Sequence, residues 1–354
     1  MKLKTSITSI ALGVVLAALG VCAFVESPSA APAPAPASAL LINGAGATFP
    51  YPIYSKWFDE YHKLHPDMQF NYQSIGSGGG IRQVIAGTVD FGATDGPMTD
   101  EQLGQAKTKI LHFPTVMGAV VPTYNIPGVN QELNFTPEAL AGIFLGKITK
   151  WNDPAIANLN KGINLPDTDI IVVHRSDGSG TTYIWVDYLS KVSEEWKSKV
   201  GKNTSVNWPV GIGGKGNEGV AGLVKQQPGA LGYVELIYAI QNNMPYGKVR
   251  NSSGVFVKAG LASVTAAAAG AAKSMPDDFR VSITNAPGKT AYPISSFTWL
   301  LVPNKIDDPT KKKAIVDFLH WMLKDGQGLV ETLNYAKLPK EVVLKETKAI
   351  SQVN

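Results

Sequence analysis

Ile53, Trp57, Tyr61 and Leu64 recur at spacings of four, four and three, which places them on one face of a helix. The same period returns at Ile81, Val84 and Ile85. It is clearest between Pro309 and Leu323, where Ile315, Phe318, Leu319, Met322 and Leu323 share a side. Between such stretches lie runs with the alternation or apolar density of strands: Leu40 to Ile42, Met68 to Tyr72, Val89 to Asp95, Phe113 to Tyr124, Ile170 to Val173, Leu231 to Val234 and Ile294 to Val302. Other helix starts announce themselves by their caps. Thr99 and Gln102 have capping-box spacing, with Met98 and Leu103 as a hydrophobic staple. Thr136-Pro137 offers a cap followed by a first-turn proline. Tyr183 to Leu189 and the alanine-rich Ala259 to Ser274 complete the helical set. Strands alternating with helices, with no internal repeat, predict an α/β protein.

The connections carry the candidate chemistry. Gly44-Ala45-Gly46-Ala47-Thr48-Phe49-Pro50, Gly76-Ser77-Gly78-Gly79-Gly80 and Arg175-Ser176-Asp177-Gly178-Ser179-Gly180-Thr181 are glycine and hydroxyl loops, each between a strand and a helix. Backbone N–H groups converge at such a turn and favour an anion. Arg175 adds a planar fork of donors. A single loop of this kind is most simply a turn; three of them, with hydroxyls at Thr48, Ser77, Ser179 and Thr181, favour a shared anion cleft built from two domains. The glycine-rich stretch Gly211 to Gly219 has no hydroxyl and reads as a turn leading into a helix, although Lys215 leaves an anion role open. Asp177, two residues from Arg175, is expected to pair with it. Asp95 at the end of a strand reads either as a turn or capping acid or as something less common: a carboxylate in an anion cleft is tolerable only where the ligand brings a proton to donate to it.

Other readings of these loops fail on spacing. Phe49 stands where a dinucleotide fingerprint needs its third glycine, and Gly216 follows Lys215 where a nucleotide P-loop needs Ser or Thr. Neither Ser77 nor Ser179 has the flanking glycines of a nucleophile elbow. His62, His65, His112, His174 and His320 lack metal-ligand spacing; His174 precedes Arg175 in a strand, so the two side chains point to opposite faces. Neither a metal, a cofactor nor a catalytic group is expected.

The chain has 354 residues, enough for two domains, and a formal net charge of +4, of which Lys2 and Lys4 account for two. With no basic stripe, nucleic acid is not an expected partner. Lys2 and Lys4 before the apolar Ile7 to Val21 read as an export signal, about 15 residues being short for a span of about 20. The single cysteine, Cys22, ends this segment. Val21-Cys22-Ala23 fits an ordinary cleavage site, whereas Leu19-Gly20-Val21-Cys22 resembles a lipoprotein box with a poor residue before the cysteine. Both plain secretion and a lipid anchor stay open, and with no second cysteine the exported domain has no intrachain disulfide. The Ala-Pro repeat from Ala31 to Pro36 reads as an extended spacer.

The glycine and hydroxyl loops, together with Asp90-Phe91-Gly92-Ala93-Thr94-Asp95, Lys150-Trp151, Trp208-Pro209, Gly213-Gly214-Lys215-Gly216-Asn217, Gly232-Tyr233-Val234-Glu235 and Tyr335-Ala336-Lys337-Leu338-Pro339, resemble in order the motifs of the PstS family, the periplasmic phosphate-binding proteins of bacterial high-affinity phosphate ABC transporters. The resemblance runs from about residue 41 to 354. It implies a two-domain periplasmic binding protein of the Venus-flytrap type (type II), with signal peptide 1–23, spacer 24–40, a discontinuous first domain 41–124 and 290–354, a second domain 125–289, and a ligand cleft between them. It implies phosphate ligands at Thr48, Phe49 (amide), Ser77, Asp95, Arg175, Ser179, Gly180 (amide) and Thr181, with Asp177 supporting Arg175. It implies a monomeric, non-enzymatic, periplasmic protein whose partners are inorganic phosphate and the permease and ATPase subunits of an ABC importer. Gly78, where relatives often have serine, departs from the pattern. Arsenate, which also carries a proton, and a secreted phosphatase are the competing expectations; a competition titration and an ester-hydrolysis assay separate them.

Overall fold

The computed structural model describes residues 39–354. The expected export signal, Cys22 and nearly all of the spacer therefore lie outside the described residues. The strands are β1 (Leu40–Gly46), β2 (Met68–Ser74), β3 (Phe91–Thr94), β4 (Ile110–Asn125), β5 (Asn134–Phe135), β6 (Ile171–Arg175), β7 (Ile212–Gly214), β8 (Ala230–Glu235), β9 (Lys248–Arg250), β10 (Phe256–Val257) and β11 (Ser295–Pro303). The helices that concern the site are the first nine: α1 (Tyr51–Leu64), α2 (Ser77–Ala86), α3 (Asp100–Gly104), α4 (Pro137–Phe144), α5 (Pro154–Ala157), α6 (Gly180–Val192), α7 (Glu194–Lys199), α8 (Gly216–Gln226) and α9 (Leu236–Gln241). Three more, α10 (Leu261–Lys273), α11 (Pro309–Lys324) and α12 (Lys340–Ala349), pack outside it.

One mixed sheet runs β2-β1-β3-β11-β4-β8-β6-β7, and a small second sheet runs β10-β9-β5. The long strand β4 makes the large sheet continuous. Ile110 to Ala119 pair antiparallel with β11, and Val120 to Asn125 pair antiparallel with β8. The apolar run Phe113 to Tyr124 predicts this strand almost in full. Register slips once, where Thr298 faces Val116 but Trp299 faces Pro114, leaving Thr115 as the extra residue of a bulge. Pro114 has no N–H to lose there.

On one side of β4, α1 buries Tyr54, Trp57, Phe58 and Tyr61, which pack on Phe70, Phe91 and Phe318; the Phe58 and Phe70 rings lie 5.2 Å apart and those of Phe70 and Phe318 4.6 Å apart. On the other side Trp185 stacks on Tyr233 at 5.1 Å beside Phe144 and Trp208. Each such ring contributes roughly 1.5–3 kcal/mol by burial. These two clusters fix the sheet from which the loops emerge.

The helix caps follow the sequence. Thr99 and Gln102 form the full capping box, Thr136 accepts from the Ala139 amide, and Met98 and Leu103 pack in one small cluster. Three stretches differ from expectation. Gly78 to Gly80 are not loop but the first turn of α2, because a Cβ on Gly80 would lie 2.6 Å from the Ala45 carbonyl oxygen; glycine lets this helix start press on β1 and β3. The stretch after Gly211 is partly an edge strand, β7, paired with β6. Helix α6 begins at Gly180, three residues before the apolar run that announced it, because the Ser179 hydroxyl caps it by accepting from the Thr182 amide. The strands of the small sheet are only two or three residues long, too short to show a period.

Candidate functional site

Every loop flagged by its glycines and hydroxyls leaves the carboxyl end of a strand in the large sheet. β1 leads to Thr48 and Phe49, β2 to Ser77, β3 to Asp95, β6 to Arg175 and Ser179, and β7 to α8. These are the positions at which α/β sheets collect ligands. The structure brings the predicted residues together. Thr48, Phe49, Ser77, Asp95, Arg175, Ser179 and Thr181 are each no more than 3% exposed, and Gly180 is buried with them.

The hydroxyls share one arrangement. Ser77 Oγ accepts from the Asp95 amide (3.1 Å), and Ser179 Oγ accepts from the Thr182 amide (3.0 Å). Thr48 Oγ1 accepts from both the backbone N–H (3.2 Å) and Nδ2 (2.7 Å) of Asn217. Thr181 Oγ1 accepts from Asn217 Nδ2 (3.1 Å) and Arg175 Nη1 (3.3 Å). Protein donors thus occupy the lone pairs, and the hydroxyl protons are left to point elsewhere. The first-turn amides of α2 and α6, at Ser77, Gly180 and Thr181, have no intrahelical acceptor and add further donors.

Arg175 and Asp177 form the expected pair. Nε reaches Oδ1 at 2.8 Å and Nη2 reaches Oδ2 at 2.6 Å, a two-point contact that fixes the guanidinium plane. With Nη1 on Thr181, one N–H remains on each terminal nitrogen. Burial works to raise the Asp177 carboxyl, but the bonds and charge of Arg175 and the Gly216 amide hold it below the usual carboxylate range. His174 faces away, stacked on Trp208 at 4.7 Å, and burial lowers its pKa. Lys215 is exposed.

Asp95 differs from everything around it. Its Oδ1 accepts from Thr298 Oγ1 at 2.8 Å, whereas Oδ2 is buried with no partner among the described residues. Oδ2 faces the start of α6, where a Cβ added to Gly180 would come within 2.5 Å of it and 2.4 Å of Ser77 Oγ. Burial pushes the carboxyl up to about 7, against the opposing pull of Thr298, Arg175 and Ser77. Donors around an unpartnered Asp95 Oδ2 are the complement of a small oxyanion that carries a proton; Glu235 Oε1, behind the site, is also buried without a partner among the described residues.

Sequence reasoning missed Asn217 and Thr298. Asn217 is held from behind, its Oδ1 accepting from the Glu235 amide at 2.9 Å, so its two Nδ2 protons must face Thr48 and Thr181. Its place in the first turn of α8, directly after a glycine-rich strand exit, is the signal that could have found it. Thr298 sits within the strand run Ser295-Ser296-Phe297-Thr298-Trp299, with no glycine or loop beside it, and gives no such sign.

A model of the PBP superfamily domain matches residues 29–325. The phosphate-binding protein PstS of Pasteurella multocida is 50% identical over 308 residues, covering 87% of this chain and 89% of that one. PstS of Xylella fastidiosa (strain Temecula1) is 47% identical over 313 residues, covering 88% and 85%. Among solved structures, a phosphate-binding protein from Stenotrophomonas maltophilia superposes with a TM-score of 0.64 at 19% identity, covering 88% of this chain and 94% of that one. That likeness shows the fold, the two-domain type II binding-protein architecture. The chain belongs to the PstS family of phosphate-binding proteins, within the PBP superfamily.

Proposed function

We propose that this chain binds inorganic phosphate outside the inner membrane and delivers it to the permease of a phosphate ABC importer, with no chemistry on the ligand. Thr48, Phe49, Ser77, Arg175, Ser179, Gly180 and Thr181 donate to the phosphate oxygens, and Asp95 accepts the proton of hydrogenphosphate. Residues 41–124 with 290–354 form one lobe and 125–289 the other, and the ligand holds them shut by binding that form better. The chain is exported by its N-terminal segment, and among the described residues no helix is long and apolar enough to cross a membrane.

The observation that carries the reading is Asp95 Oδ2, a buried acceptor without a partner among the described residues, facing Ser77 Oγ and the start of α6. Hydrogenphosphate satisfies it. Sulfate, with no proton, would set two acceptors against each other, which is worth about 10⁴-fold in discrimination. Titration calorimetry at neutral pH is expected to show tight phosphate binding and sulfate at least about 10⁴-fold weaker. Comparable affinities for the two would end this reading.

A further inference from the structure

Thr298 is fully buried on β11 beside the Thr115 bulge, and its hydroxyl lies within reach of two acceptors, Asp95 Oδ1 at 2.8 Å and the Thr94 carbonyl oxygen at 3.2 Å. A hydroxyl has one proton and cannot serve both at once. We propose that Thr298 fixes where a proton on Asp95 resides, keeping Oδ2 an acceptor toward the cleft whether Asp95 is ionised or neutral. This deepens the phosphate reading and rests on it.

The two charge states balance as follows. With Asp95 ionised, Thr298 donates to Oδ1. When Asp95 takes up a proton on Oδ1, that new O–H donates to Thr298 Oγ1, and the Thr298 proton turns to the Thr94 carbonyl. Asp95 Oδ1 and the Thr298 hydroxyl keep a partner in both states. A proton on Oδ2 instead would add one more donor to a cleft already full of them, and no hydrogen bond among the described residues holds it there. The charged and titratable groups around Asp95 are Arg175 from β6, Glu235 at the end of β8, Tyr54 on α1, Tyr72 on β2 and Tyr335. Burial raises the pKa of Glu235 and of all three tyrosines, and Arg175, whose charge lowers that of Asp95, has its fork turned to Asp177. Among the described residues none of these groups has a hydrogen bond to either Asp95 oxygen, and Thr298 alone engages Oδ1.

Selectivity against unprotonated oxyanions should therefore persist into acid solution, where a lone buried carboxyl would turn donor and admit sulfate. The test is calorimetry with phosphate and sulfate at pH 5 and pH 8 on the full chain, Thr298→Val and Thr298→Ser. The wild type and Thr298→Ser are expected to refuse sulfate at both pH values. Thr298→Val is expected to keep phosphate binding within about tenfold at pH 8 and to bind sulfate about 100-fold better at pH 5 than at pH 8. Sulfate binding by the wild type at pH 5 overturns the proposal, whatever the variants do. So does a folded Thr298→Val that refuses sulfate at pH 5 or loses phosphate at pH 8. A wild type that binds no phosphate at all overturns the phosphate reading itself and is distinguishable from these results.

Discussion

At Asp95, burial couples folding to pH. The folded carboxyl titrates at about 7 against an ordinary value of 3.8, so between these values the native chain holds a proton that the unfolded chain has released. The sign follows: this group's contribution to stability is fully present below about pH 4 and is lost as pH rises through 7. Asp95→Asn removes that dependence. In chemical denaturation of phosphate-free protein, the unfolding free energy of the variant relative to wild type is expected to rise by on the order of 4 kcal/mol between pH 4 and pH 8. A constant difference across that range would show that the folded carboxyl titrates normally. Asn217 shows the complementary strategy, a neutral amide with its side-chain groups engaged, which positions the Thr48 and Thr181 hydroxyls.

At the scale of elements, a helix start can be purely structural or also functional, and two caps in this fold separate the cases. Thr99 caps α3 at the surface, away from the cleft, while Ser179 caps α6 inside it. Thr99→Ala is expected to cost about 1 kcal/mol of stability and leave phosphate affinity unchanged. Ser179→Ala is expected to cost a similar amount and also to weaken phosphate binding by about tenfold or more, because the same hydroxyl that accepts from Thr182 has its proton free for the ligand. Paired thermal melts and titrations check both, and equal affinities for the two variants would remove Ser179 from the site. Gly180 belongs to the same logic, since its missing Cβ is the space that Ser77 Oγ and Asp95 Oδ2 occupy.

For the whole molecule, hydrogen bonds also join the loops from the two ends of the sheet. Gly78 donates to the Gly178 carbonyl at 2.8 Å, Tyr238 to the Thr48 carbonyl at 2.6 Å, and Arg280 to the Met98 carbonyl at 2.9 Å. In the proposed two-lobe arrangement these bonds join the lobes, and they would set how much of the ligand's binding free energy is needed for closure. Tyr238→Phe removes one of them without touching the anion. It is expected to lower phosphate affinity about five- to tenfold and to enlarge the radius of gyration of phosphate-free protein in small-angle scattering, while the loaded form matches wild type. Unchanged affinity and scattering would show that this bond takes no part in closure.

The order of strands and helices was legible because period and caps are local properties: α1, α11, the Thr99 box and β4 all declare themselves in a dozen residues. The donor-rich character of the loops was legible for the same reason, since Gly, Ser and Thr at a strand exit expose backbone donors wherever they occur. The pairing of Arg175 with Asp177 needed only two residues of separation. What the chain order could not reveal is convergence. Thr48 and Asn217 stand 169 positions apart, and Asp95 and Thr298 stand 203 apart; their contact exists only because β4 joins the two ends of one sheet and β11 returns between β3 and β4. The helical turn at Gly78 to Gly80 was equally hidden, because it depends on backbone from β1 and β3 lying close enough to exclude a side chain. Residue types and local periods settled the fold class and the sign of the ligand. The tertiary structure decided which hydroxyls keep a free proton, and which carboxylate oxygen is left without one.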